Sequence, residues 1–158
     1  MDEATKKSVL RLFPYGLYAV TASDGDLSSG MTANWLTQVS FEPPQVAVAV
    51  ENDARTLGLI RRAGHFAVNV LATGQRELAG LLGRRSKNVP DKLQQTEYRA
   101  GETGAPILAA ALGAVECRVV AELEVGDHTL VVGEIVAAHL REAGEPLTLQ
   151  ETGFRYAG

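Results

Sequence analysis

Two long alternating runs separated by Gly126-Asp127 constrain this chain more than any other feature. In the first, Val115, Cys117, Val119, Ala121, Leu123 and Val125 fall on one side. Glu116, Arg118, Glu122 and Glu124 fall on the other, and Val120 breaks the pattern. Period-two alternation of this length predicts an antiparallel strand with one buried face. A second β-prone run, residues 128–140, follows at once, and Gly-Asp between two such runs is a two-residue hairpin signal. That loop pairs Val125 with His128, Leu123 with Leu130 and Ala121 with Val132. It sets His128 on the apolar side at the rim of the sheet, where the imidazole can meet a ligand or be satisfied by turn backbone. An inward Glu134 points to a bulge near Gly133.

The rest of the chain supplies further strands and two short helices. Residues 3–13 carry Val9, Leu12 and Phe13 at helical spacing, and Pro14 ends that helix. Residues 15–22 are β-prone and lead through Ser23-Asp24-Gly25-Asp26 into a second β run. This run continues into MTANWLTQVSFEPP, residues 31–44, where hydroxyls and amides (Thr32, Asn34, Thr37, Gln38, Ser40) interleave with apolar residues. Such a segment suits a wall that hydrogen-bonds a flat polar ligand, although β propensity alone also places Thr in strands. Residues 45–50 set three valines against Gln45, Ala47 and Ala49, the mark of a strand packed on both faces. Residues 65–71 alternate again, and residues 147–149 suit a last short strand. Pro106-Ile107-Leu108 reads as a short apolar helix.

After residue 50 the period lengthens. Asn52 or Asp53 is placed to cap a helix with Ala54, Leu57 and Ile60 on one side and Gly64 at its end. Arg55 and Thr56 then occupy a first helical turn. Either free backbone N–H groups, a guanidinium and a hydroxyl converge there on an anion, or this is a capped surface helix with a solvated arginine. A second helix, residues 75–82, precedes the basic loop Arg84-Arg85-Ser86-Lys87, with Lys92 beyond it. Such a loop is either solvated or steers a phosphate-bearing ligand.

At 158 residues the chain is expected to form one domain, residues 1–158, burying roughly two-thirds of its unfolded surface. A net charge of −4 argues against nucleic acid as the main partner. No apolar run approaches the roughly 18 residues of a membrane span, and no signal-peptide core opens the chain, so a cytoplasmic protein is expected. One cysteine, Cys117, leaves no intrachain disulfide and no cysteine-based metal site; on a buried strand face it packs. No phosphate-loop, dinucleotide-fold, zinc-protease or nucleophile-elbow motif occurs.

Several segments, in order, resemble the flavin reductase-like family of FMN-binding split barrels. They are FPYGLYAVT (13–21), GMTANWLTQVSFEPPQVAVAV (30–50), ARTLGLI (54–60), FAVNVL (66–71), PDKL (90–93), TGAPIL (103–108), ECRVV (116–120) and GDHTLVVGEIV (126–136). The resemblance implies a mainly β fold: a six-stranded antiparallel Greek-key split barrel with short flanking helices, usually a homodimer. It implies hydride transfer from NADH or NADPH to FMN, with FAD as the alternative flavin, and delivery of electrons to an oxygenase or a redoxin. By the same resemblance, Thr32, Ala33, Asn34 and Trp35 run along the flavin ring, with Ser40 and Phe41 in the same wall. Glu51, Asn52, Arg55 and Thr56 receive the ribityl-phosphate end. His128 lies where nicotinamide approaches, and Phe154, Arg155 and Tyr156 border that site. Two departures stand out: the family's D-K-F is D-K-L here, at Leu93, and Trp35 sits where many members carry a different residue. An A-N-W segment is shared with flavoredoxin-like members, in which the flavin is a bound electron carrier.

Overall fold

The computed structural model describes residues 1–156. A first helix, α1 (Glu3–Leu10), is followed by β1 (Tyr18–Ser23), β2 (Ser28–Ala33), β3 (Leu36–Ser40) and β4 (Gln45–Glu51). Next come α2 (Arg55–Ala63), β5 (His65–Val70) and α3 (Arg76–Gly83). A small hairpin, β6 (Tyr98–Ala100) with β7 (Pro106–Leu108), precedes the long pair β8 (Gly113–Val125) and β9 (His128–Leu140) and a final turn of helix, α4 (Leu149–Thr152).

Seven strands form one antiparallel sheet in the order β2-β1-β5-β8-β9-β4-β3. The outermost strands, β2 and β3, are consecutive in the chain and joined only by Asn34 and Trp35. A flat sheet of seven strands would separate its edges by about 29 Å. The three peptide steps from Ala33 to Leu36 reach about 11 Å at most. The sheet must therefore curl until its edges approach, and Asn34-Trp35 lies on the seam. Seven strands rather than six appear because the run expected to be one strand breaks at that seam.

The hairpin register expected from Gly126-Asp127 is present: Val125 pairs with His128, Leu123 with Leu130 and Ala121 with Val132. The register shifts between Val119 and Ala121, leaving Val120 unpaired opposite the Gly133 region and explaining the break in alternation. Gly133 is required there. A Cβ would come 2.6 Å from the Cys117 Cβ and 2.7 Å from the Phe66 ring.

The main core gathers Val20, Val48, Val50, Leu57, Leu59, Ile60, Phe66, Cys117 and Val131 between sheet and α2. A second core, with Leu17, Leu71, Leu82, Leu93, Leu108 and Leu147, packs α3 and the loops onto the sheet. The Cys117 thiol is pushed up to about 12 by burial, then by the neighbouring Glu116 charge, so it packs without reacting.

Four expectations are corrected. Residues 106–108 form strand β7 rather than a helix, because they pair with residues 98–100. Residues 147–149 make only a single bridge, Gly16 to Thr148, before α4 begins. Glu116, expected on the solvent face, is fully buried. Its carboxylate accepts from Glu102 N, Thr103 N, Thr103 Oγ1 and His139 Nε2, which tie the 101–104 turn to the hairpin. The outer half of β8 is buried on neither face: Leu123 is 59% and Val125 45% exposed.

Candidate functional site

The seam between β2 and β3 opens into a cavity of about 750 Å³. Its walls are Met31 to Trp35 along the seam, the start of α2, α3, the basic loop and residues 154–156. Sequence explains why space remains here. Gly80 and Gly83 face the cavity from α3, where side chains would otherwise fill it. A Cβ on Gly83 would sit 3.8 Å from Thr32, and one on Gly80 would sit 3.4 Å from the Phe154 ring.

One end of the cavity is cationic. The α2 N-cap is Ala54, which has no side chain able to cap, and no acidic residue enters the first turn. Neither Asn52 nor Asp53, the two expected caps, serves: Asn52 Oδ1 accepts from Thr129 Oγ1 at 2.8 Å and its amide donates to Gly126 O at 3.2 Å, while Asp53 pairs with Arg85. The open N-terminus of α2 thus faces the cavity with Arg55 and Thr56. Arg55 Nη1 donates to Pro90 O at 3.2 Å, leaving further N–H groups unused, and the Thr56 hydroxyl pairs with Ser29 Oγ at 2.9 Å. Lys92 is 5% exposed, and its Nζ donates to Leu82 O and Arg84 O, both at 2.6 Å, with one N–H left over. Burial, then the Arg55 charge, pulls the Lys92 ammonium down to about 8. Arg84, Ser86 and Lys87 complete this end, and Arg85 pairs with Asp53 at 2.8 Å and Glu51 at 3.5 Å. An uncapped helix start together with several cations is an arrangement suited to an anion such as phosphate.

The other end is apolar and aromatic, with Leu17, Met31, Ala33, Ala49, Ala79, Leu149 and Phe154 around Trp35. Here the expected hydrogen-bonding wall is partly spoken for. Thr32 Oγ1 donates to Ala79 O at 2.6 Å and so anchors α3 to β2, while the buried Asn34 amide donates to Tyr156 O at 3.2 Å. Trp35 Nε1 is buried without any partner among the described residues. A buried orphan donor at a cavity wall matches a ligand acceptor.

A second recess of about 720 Å³ shares Trp35, Glu51, Asp53, Arg85, Arg155 and Tyr156 with the first and adds Asn52, Asp127 and His128. His128 is buried, its ring tilted by 46° and 4.8 Å from that of Trp35, which lies 5.4 Å from the Tyr156 ring. His128 Nδ1 lies 2.6 Å from Asp127 Oδ1, and Nε2 lies 3.1 Å from Tyr156 Oη. The Tyr156 hydroxyl donates to Glu51 Oε1 at 2.7 Å. The His128 hydrogen bond holds the Asp127 carboxyl below its ordinary range, whereas burial, then the bond to Glu51, raises the Tyr156 phenol.

Of the residues singled out from sequence, Thr32, Ala33, Asn34, Trp35, Glu51, Arg55, Thr56, Lys92, Phe154, Arg155 and Tyr156 line the first cavity, and Asn52 and His128 line the second. Ser40 and Phe41 line neither; they sit at the far end of β3, with Phe41 89% exposed. Asp53, Gly80 and Gly83 were missed as lining residues. The two glycines carry a signal in retrospect, since a helix this short has little other reason to hold both. Among the described residues, no cluster of His, Cys, Asp and Glu could hold a metal, and no helix is long and apolar enough to cross a membrane.

Residues 10–158 match the family described as flavin reductase like domain. The chain belongs to this family. It is 36% identical over 155 residues to the reductase component of 4-hydroxyphenylacetate 3-monooxygenase from Thermus thermophilus, covering 98% of this chain and 96% of that protein. It is 36% identical over 136 residues to the ferric-chelate reductase (NAD(P)H) of Archaeoglobus fulgidus, covering 85% of this chain and 80% of that one. Among solved structures, the NADH:FAD oxidoreductase of Streptomyces globisporus C-1027, in complex with NAD and FAD fragments, superposes with a TM-score of 0.84 at 33% identity. That match covers 99% of this chain and 95% of the other.

Proposed function

We propose that this protein is an NAD(P)H-dependent flavin reductase that holds FMN, or FAD as the alternative flavin, in the cavity at the β2–β3 seam. The observation that carries this reading is the polarity of that cavity. A cationic end built on the open start of α2 faces an aromatic end carrying an unpartnered indole N–H, and a histidine-lined recess adjoins it. The residues present fit the group: Arg55, Thr56, Lys92 and the α2 N–H groups for phosphate, and Thr32 to Trp35 for the ring. When bound, the flavin supplies the redox chemistry, taking a hydride from nicotinamide.

The chain's own residues bind, orient and exclude water. Arg55 and Lys92 fix the phosphate by charge-assisted hydrogen bonds. Seam residues set the ring against the barrel wall, and Arg155 and Tyr156 border the adjoining recess. His128, held through Nδ1 by Asp127 and through Nε2 by the Tyr156 hydroxyl, lines that recess, where its ring would border the nicotinamide. No nucleophile or acid–base pair is needed.

A homodimer is supported by apolar residues that stand exposed in a single copy: Val39 and Phe41 around β3, and Leu123, Val125 and Val136 on the hairpin. It would also bring Ser40 and Phe41 into use. An oxygenase as electron acceptor is supported by the relative that serves as a monooxygenase's reductase component. A cytoplasmic location suits an enzyme drawing on nicotinamide nucleotides. Oxidation of NADH and NADPH with added FMN tests the assignment; no flavin-dependent turnover with either nucleotide refutes it. A second reading, an FMN electron carrier without nucleotide activity, is favoured by the Trp35 orphan N–H, which suits a tightly held flavin. Reduction by a redoxin but by neither nucleotide selects it.

A further inference from the structure

The Tyr156 hydroxyl stands between two partners and has one proton to give. Glu51 accepts it at 2.7 Å, since a carboxylate only accepts. The phenol oxygen is then free to accept from His128 Nε2, 3.1 Å away. On the other side of the ring, Nδ1 faces the Asp127 carboxylate at 2.6 Å, which again requires an N–H. All three hydrogen bonds exist together only if both ring nitrogens of His128 carry hydrogen. Remove one proton and one bond must go: the phenol turns from Glu51 to His128, or Nε2 faces it without a hydrogen.

We propose that residues 154–156 form a proton-dependent latch, in which Tyr156 closes over Trp35 and His128 while His128 is doubly protonated and loosens as that proton leaves. The latch has three further holds. Asn34 Nδ2 donates to Tyr156 O, the Tyr156 ring packs 5.4 Å from Trp35, and Arg76 Nε donates to Thr152 O just upstream. The charged groups facing His128 come from several elements. Glu51 from β4, Asp53 from the turn after it and Asp127 from the hairpin bring three carboxylates; Arg85 and Arg155 bring two guanidiniums. The phenol itself, raised by burial and by Glu51, keeps its single proton throughout. Tyr156 is thus a positioning residue that acts through His128. Its consequence for turnover, gating of the recess assigned to nicotinamide, rests on the flavin reductase reading; the latch itself does not.

The test needs neither nucleotide nor turnover, so its failure is separate from failure of that reading. The ring-nitrogen NMR signals of His128, identified by their loss in His128→Gln, are followed with pH in the protein as purified and in Tyr156→Phe. Phenylalanine keeps the ring against Trp35 and changes no charge, so folding and Coulombic terms stay constant. Losing the acceptor of the Nε2 hydrogen lowers the midpoint by about one pH unit, tenfold in proton occupancy. The emission of Trp35, the only tryptophan, changes at the same midpoint in the parent protein. An equal midpoint in Tyr156→Phe overturns the latch, as does an Nε2 that stays unprotonated across the range.

Discussion

Replacing Glu116 by glutamine is expected to cost this fold roughly 3 kcal/mol at neutral pH. Burial alone would raise this carboxyl. The hydrogen bonds from Thr103, His139 and Glu102 outweigh burial and bring it from 4.5 to about 2. At about 1.4 kcal/mol per pH unit, that displacement is worth roughly 3 kcal/mol of folding free energy. Because the folded value is depressed, the contribution is complete above pH 4.5 and drains away as pH falls from there through about 2. Glutamine offers one carbonyl oxygen where the carboxylate offers two, and it sets an NH₂ against the donors of the 101–104 turn, so nothing offsets the loss. For a chain of this size the change lowers Tm by roughly 6–12 °C. Thermal unfolding followed by circular dichroism at pH 7 and at steps down to pH 3 reads both effects. The parent loses stability between pH 4.5 and 3, and the variant starts lower with a flatter acid limb. A variant within about 2 °C of the parent at pH 7, with an unchanged acid limb, would refute the reasoning.

Arg55→Ala is expected to weaken FMN binding by about 1.5–3 kcal/mol, read by quenching of flavin fluorescence on titration. Unchanged affinity would leave Arg55 a surface residue. FMN affinity should also fall as pH rises through about 8, where Lys92 loses its charge, and Lys92→Met should abolish that dependence. A pH-independent Kd in the parent would remove Lys92 from the phosphate site. Gly133→Ala drives a methyl into Cys117 and Phe66 and should cost about 1–3 kcal/mol in urea unfolding; a neutral result would show that the bulge relaxes. His128→Ala should reduce turnover with NAD(P)H far more than flavin affinity, and full turnover would take His128 out of the site.

The hairpin was legible because two local signals agreed: alternation fixed the faces, and Gly126-Asp127 fixed the register. The start of α2 was legible in outline because a helix start is a local event, but its cap was not. Asn52 had to choose between its own helix and the β9 hairpin, and only tertiary structure shows that it bonds Thr129 and Gly126. Glu116 was misread for a similar reason. Its partners come from a turn 13 and 14 residues earlier and from the facing strand, and alternation alone assigns a carboxylate to solvent. Residues 106–108 became a strand because residues 98–100 were available to pair, which no local pattern announced. The exposed end of β8 shows the limit from the other direction. Its apolar face reads as buried, yet among the described residues of a single copy nothing covers it.

The cavity at the β2–β3 seam is assigned a flavin that nicotinamide reduces. The most direct test of that assignment is the visible spectrum of the protein loaded with FMN under anaerobic conditions, recorded before and after one equivalent of NADH or NADPH. Loss of the flavin absorbance band with at least one nucleotide, slowed in His128→Ala, is the predicted result. A flavin band that persists with both nucleotides, while chemical reductant bleaches it, would contradict the account.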